Sequence, residues 1–118
     1  MKKAETMPLP ELLKKRAEKL LDEYCRTRVP SWLKEEMRLD FSIEDNSATV
    51  FQERRRCQGS CEWFRFPLAQ FRYTSALNQW TLHHYDDNQH WQLYLNVSPS
   101  LDLSRLILAV DDDPLGFF

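Results

Sequence analysis

Between Met37 and Val97 apolar residues fall on every second position, in short runs separated by turn chemistry. A period of two marks a strand with one buried and one wet face, because successive side chains point to opposite sides of the pleat. A chain that repeats this pattern run after run is committed to an antiparallel sheet. In the first run Met37, Leu39, Phe41 and Ile43 alternate with Arg38, Asp40 and Ser42. Glu44-Asp45-Asn46-Ser47 is turn chemistry, and residues 48–55 return as the second strand. Residues 56–63, with Cys57, Gly59 and Cys61, are expected to form a loop. A third strand follows over 64–75, with a turn at Leu77-Asn78.

The fourth strand, 79–85, places Trp80, Leu82 and His84 on one face and Thr81, His83 and Tyr85 on the other. Asp86-Asp87-Asn88-Gln89 makes the next turn. In a fifth strand over 90–97, alternation puts Trp91, Leu93, Leu95 and Val97 on the apolar face and His90, Gln92, Tyr94 and Asn96 opposite.

At each end of the sheet region the period lengthens to that of a helix. Residues 9–28 carry Leu9, Leu12, Leu13, Ala17, Leu20, Leu21 and Tyr24 at steps of three and four. Pro10 suits a first helical turn and Pro30 ends the element. Ser98-Pro99-Ser100 is expected to start a second helix over 100–111, striped by Leu103, Leu106, Ile107 and Val110. The prediction is one α+β domain: a five-stranded antiparallel meander with the two terminal helices packed on its apolar face. The other face is then open. Only two glycines are present, few for a fold of tight hairpins.

The net charge of −2 favours no class of partner in bulk, but the charge is unevenly spread. Residues 1–38 hold ten Lys/Arg against seven Asp/Glu, and residues 86–118 hold one Arg against six Asp. The two ends are expected to lie side by side and compensate each other, so that the acidic Asp111-Asp112-Asp113 run is neutralised by the basic first helix. Phe117-Phe118 is expected to dock in a groove of the same fold. No apolar stretch approaches the roughly 20 residues needed to cross a bilayer. With no apolar run after Met1-Lys2-Lys3, a cytoplasmic location is expected, with the three cysteines as free thiols.

The open face is the candidate working surface. Alternation gathers Thr81, His83, Tyr85, His90, Gln92 and Tyr94 there, joined by either Gln70 and Arg72 or Phe71 and Tyr73. Rings, amides and cations on an exposed sheet suit base stacking, although Tyr and Thr also favour strands simply because they fit a pleated surface. Arg54-Arg55-Arg56, near Arg65, offers guanidinium groups to an anion, or else protects a strand end. Cys57 and Cys61 are three residues apart, not the usual zinc-knuckle spacing, and no second Cys pair exists, so no metal is assigned.

Three functions stand open. One is a non-enzymatic binding module using Arg54, Arg55, Arg56, Arg72, His83, Tyr85, His90 and Tyr94, with no cofactor and a protein or nucleic-acid partner. Another is a metal-dependent hydrolase or nuclease, with Asp40 on one strand and Glu53 and Arg55 on the next. Arg55 there cannot act as a base. The third is a structural homo-oligomer. No catalytic residue is assigned, because no nucleophile triad, phosphate loop or dinucleotide fingerprint is visible.

Several stretches taken together resemble a known family: Phe51-Gln-Glu-Arg-Arg, Leu68-Ala-Gln-Phe-Arg-Tyr, Trp80-Thr-Leu-His-His-Tyr-Asp-Asp-Asn, His90-Trp-Gln-Leu-Tyr and Asp113-Pro-Leu-Gly-Phe-Phe. Their order and spacing, over roughly residues 10–118, resemble the bacterial domain of unknown function 3024. The resemblance implies a standalone bacterial protein and no activity, cofactor or catalytic residue. The Cys57–Cys61 stretch departs from the family pattern, which argues against a shared metal or redox site there.

Overall fold

The computed structural model describes residues 8–58, 60–113 and 118, apart from the side chains of 56–58, 60 and 61. The elements run α1 (Glu11–Thr27), β1 (Met37–Glu44), β2 (Ser47–Gln58), β3 (Ser60–Thr74), β4 (Gln79–Tyr85), β5 (Trp91–Leu93) and α2 (Leu103–Asp112). Each strand pairs antiparallel with the next, giving the order β1-β2-β3-β4-β5. The chain is therefore the expected α+β meander flanked by two helices. The hairpins manage without glycine by letting Asp45 and Asn78 take positive φ, 53° at each. Asp and Asn tolerate that region because their short side chains bond locally.

Both helices cover the same side of the sheet. Ala17, Leu21 and Tyr24 of α1 and Leu103, Leu106, Ile107 and Val110 of α2 share one core with Ala48, Val50, Ala69, Phe71, Tyr73, Trp80 and Leu82. The ends of the helices are tied together as well: Arg28, at the end of α1, donates from Nε and Nη2 to the Asp111 carboxylate at 3.0 and 2.7 Å. The acidic run thus meets a basic helix end, as the charge asymmetry predicts.

Residues 56–63 are not a loop. The β2–β3 ladder continues through Arg56↔Glu62, Cys57↔Cys61 and Gln58↔Ser60, so the hairpin extends as a long arm. β4 pairs with β3 only from Ala69 onward. Residues 60–67 of β3 consequently have no strand paired on that side among the described residues. Pro67 sits on this free edge, where its missing N–H costs no ladder bond. The register slips beside it, with Val50 opposite Ala69 but Phe51 opposite Pro67, leaving Leu68 as the extra residue.

The fifth strand is shorter than its sequence pattern and has the opposite phase. It covers only Trp91–Leu93, and Tyr85 pairs with Trp91, His83 with Leu93. Cross-strand partners share a face, so Trp91 and Leu93 lie on the open side. Tyr94 is turned into the core at 1% exposure, while Leu95 is 85% exposed. After β5 the chain swings away and returns where Ser100 exchanges two backbone hydrogen bonds with Trp80, at 2.7 and 3.0 Å. Ser100 is thereby used by the β4 edge. The second helix starts later than expected, with Asp102 accepting the Ser104 N–H at 3.1 Å as its cap.

Candidate functional site on the open sheet face

Register sorts the side chains of the uncovered face into rows. Ser42, Thr49, Gln70, His83 and Leu93 form one row, and Glu44, Ser47, Arg72 and Thr81 the next. Phase is thus decided in β3: Gln70 and Arg72 are outside, and Phe71 and Tyr73 are core. Further along the arm lie the rows Asp40, Phe51, Pro67 and Arg38, Glu53, Arg65. α1 and α2 pack on the opposite, core side of the sheet.

The arm rows form a closed charge cluster. Glu53 accepts from Arg38 Nε at 2.6 Å and from Arg65 Nε at 2.8 Å, while Arg65 Nη2 reaches Asp40 at 2.9 Å. Each cation also stacks on a ring: Arg38 lies 3.8 Å from the Trp63 centroid and Arg65 4.4 Å from that of Phe51. Burial pushes the Glu53 carboxyl up, but hydrogen bonds from Arg38 and Arg65 outweigh it and leave the group below the usual glutamate range. Asp40 and Glu53 do share a face, as the hydrolase reading requires. However, the space between them is spanned by the Arg65 guanidinium, which takes the position a shared cation would need. No group of three or more His, Cys, Asp or Glu suited to a metal occurs among the described residues.

The rows at the base of the sheet are arranged differently. Gln70 donates to Thr49 Oγ1 at 2.9 Å and accepts from Arg72 Nε at 2.6 Å. This relay across two strands fixes the Arg72 guanidinium and leaves both Nη groups without a partner among the described residues. Beside it, His83 Nε2 lies 2.9 Å from Thr81 Oγ1. His83 is only 9% exposed. Burial, then the Arg72 charge and the neighbouring His84, push its pKa down to about 4, so the imidazole is neutral at pH 7. Half-burial without a counter-ion likewise lowers the Arg72 value, though a guanidinium stays charged.

Of the residues singled out in the sequence, Arg72, His83 and Tyr85 stand on this face, Tyr85 edge-to-face with Trp91 at 4.9 Å. Arg55 is on the same side of the arm, opposite Trp63. Four assignments change. Tyr94 is core, packed against His84 and Phe118. Gln92 belongs to the opposite phase and reaches back to the Asp86 carboxylate at 3.0 Å. His90 lies in the turn before β5, its backbone N–H held by Asp86 at 2.8 Å. Arg54 points to the helix side, opposite Met37 and Phe64, and donates to Gln52. The side chains of Arg56, Cys57 and Cys61, and all of Phe117, lie outside the described residues. Phe118 docks within the fold, with its N–H on Asp113 Oδ2 at 2.8 Å. Sequence reasoning missed the Arg38–Glu53–Arg65–Asp40 cluster as a unit. Its signal was present in the alternation: Arg38 and Asp40 on one strand, with Glu53 on the next, share a face.

A family model described as Domain of unknown function (DUF3024) matches residues 9–118. The chain belongs to that family. The match spans both helices and all five strands, so the DUF3024 unit and the fold described above coincide. Neither the comparison with curated proteins nor that with solved structures returns a match. Membership of DUF3024 thus brings no assigned chemistry, and the residues themselves must carry the functional argument. No helix among the described residues is long and apolar enough to cross a membrane.

Proposed function

We propose that this protein is a small non-enzymatic binding module that docks a polypeptide partner on the open face of its sheet. The observation that carries the proposal is a whole sheet face, drawn from five strands, that is rigidly hydrogen-bonded and yet uncovered. Surfaces left to water need no cross-strand relay such as Thr49–Gln70–Arg72, whereas a recognition surface gains from fixed donors.

Charge favours polypeptide over nucleic acid. The face presents Arg38, Arg55, Arg65 and Arg72 against Asp40, Glu44 and Glu53. A strand of phosphates requires several uncompensated cations, and this face has close to one. A metal-dependent hydrolase using Asp40 and Glu53 is less well supported, since Arg65 already neutralises both. The setting we propose is a bacterial cytoplasm.

Selection from a peptide library with random, free C-termini tests the reading. Selected peptides are expected to shift backbone amides of Thr49, Gln70, His83 and Leu93, and to lose binding to Ser42→Trp, which blocks the face. Peptides that shift only α1 and α2, or that bind the blocked variant equally, would overturn the proposal. A labelled single-stranded oligonucleotide at low salt is expected to give a flat titration.

A further inference from the structure

The base of the open face combines three features that the arm lacks. First, Arg72 is a fixed, half-buried cation with both Nη groups unpartnered among the described residues. A planar fork with two free donors matches a carboxylate bidentately, and a cation held partly out of water gains more from an anion than one fully solvated. Second, Thr81 and the buried, neutral His83 stand beside it as polar groups that add no competing charge. Third, Thr81 also lines a cavity of about 190 Å³ with a mixed wall, mainly apolar, that includes Leu82, Leu93, Leu95 and Val97 together with Ser98. That volume exceeds the roughly 150 Å³ that admits a benzene ring. The cavity exists because the chain leaves the β4 edge after Tyr94, whose N–H still donates to the Leu82 carbonyl at 2.8 Å, and pairs with it again at Ser100. Thr81 therefore stands between a cation on one side and a mainly apolar hollow on the other.

We infer that Arg72, Thr81 and the Leu93–Val97 cavity form a subsite for a carboxylate carried on a short apolar group. Arg72 takes the carboxylate and the cavity takes the apolar group. The inference rests on the open face being the binding surface, and it names the chemistry read at its base. Two sources supply such a ligand: the free C-terminus of a polypeptide ending in an apolar residue, and a free branched-chain acid.

Three probes on the full chain test it, followed by amide chemical shifts: acetyl-Ala-Ala-Leu with a free carboxylate, the same peptide as its C-terminal amide, and 4-methylpentanoate. The carboxylate peptide is expected to shift Thr81, His83 and Leu93, with the amide about tenfold weaker or worse. In Arg72→Gln the carboxylate advantage should disappear, and in Arg72→Lys part of it should return. The unchanged amide spectrum of either variant away from the site reports that it is folded. If 4-methylpentanoate matches the peptide, the ligand is a free acid; if it is much weaker, the ligand is a chain terminus. Equal binding of carboxylate and amide, or no shift with any probe at millimolar concentration, overturns the subsite. If that happens while library peptides still map to the open face, the subsite alone falls. If the library also yields nothing, the binding-module reading falls with it.

Discussion

Acid should destabilise this protein in part through a buried imidazole, that of His83. Its imidazole is buried beside the Arg72 guanidinium and its pKa falls from 6.5 to about 4. Unfolding returns it to the ordinary value, so between these limits the unfolded chain binds a proton that the folded chain refuses. Stability is then highest above the unfolded pKa and declines as pH drops from about 6.5 toward 4, levelling once the folded imidazole also protonates. Two-state linkage with these values makes the loss between pH 7.5 and pH 4.5 about 2–3 kcal/mol, an upper figure because some solvent reaches the ring. That is a sizeable part of the roughly 5–15 kcal/mol typical of a small domain. The assay is urea unfolding at several pH values for the natural chain and for His83→Gln. Glutamine keeps a polar partner for Thr81 but does not titrate. The variant should be less stable at neutral pH, and its stability should fall less steeply with acid, the two curves converging. Parallel curves would mean that His83 is not held neutral and that the closeness of Arg72 has been misjudged.

Other expectations follow from the same geometry. Tyr94→Ala should cost about 3 kcal/mol or more in urea unfolding, as large core truncations do; a cost under about 0.5 kcal/mol would return Tyr94 to the surface. Glu53→Gln should cost about 1–2 kcal/mol at neutral pH, since it leaves Arg38 and Arg65 without their shared anion. Because the Glu53 pKa is depressed below 4.5, that difference should be full above the ordinary value and shrink as pH falls through the folded one. Cys25, whose thiol is raised to about 12, mainly by burial, should resist iodoacetamide at pH 7.5 in mass-spectrometric mapping; rapid alkylation would contradict its placement.

Much of this fold is visible in residue order alone. Strict alternation in β4 assigns Trp80 and Leu82 inward and Thr81 and His83 outward, and the structure agrees. The fifth strand is where pattern and structure part, and the cause is physical. Trp91, Leu93, Leu95 and Val97 are more apolar than the residues between them, so composition alone turns them inward. Register decides otherwise. The turn after Tyr85 sets Trp91 as its partner, and the partner of an outward residue must itself face outward. A slip of one position turns Trp91 and Leu93 outward and Tyr94 into the core, while Val97, beyond the strand, still packs against the core as its apolar character suggests. The arm was hidden for a related reason: Cys57 to Cys61 looks like turn sequence, and only pairing across the hairpin extends the ladder through it. Arg72 was half legible, because the bulge at Leu68 resets the phase of β3 and no local signal fixes which of Arg72 or Tyr73 is outside.

The two halves of the open face divide the work of a binding surface. In the arm every described guanidinium that meets a carboxylate is matched and stacked on a ring, an arrangement that stiffens a hairpin lacking β4 as a neighbour. Matched charges there add little attraction for a partner, since an incoming anion must compete with Glu53 and Asp40. At the base the reverse holds: Arg72 is oriented by Gln70, no carboxylate among the described residues bonds to it, and a mainly apolar cavity opens beside Thr81. Recognition should accordingly be local and geometric. With close to one uncompensated cation on the face, binding should weaken only slightly as salt rises, in contrast to the steep loss expected of a surface that tracks phosphates. A shallow salt dependence together with a strong carboxylate requirement is the combination that a single fixed fork produces and a diffuse basic patch does not.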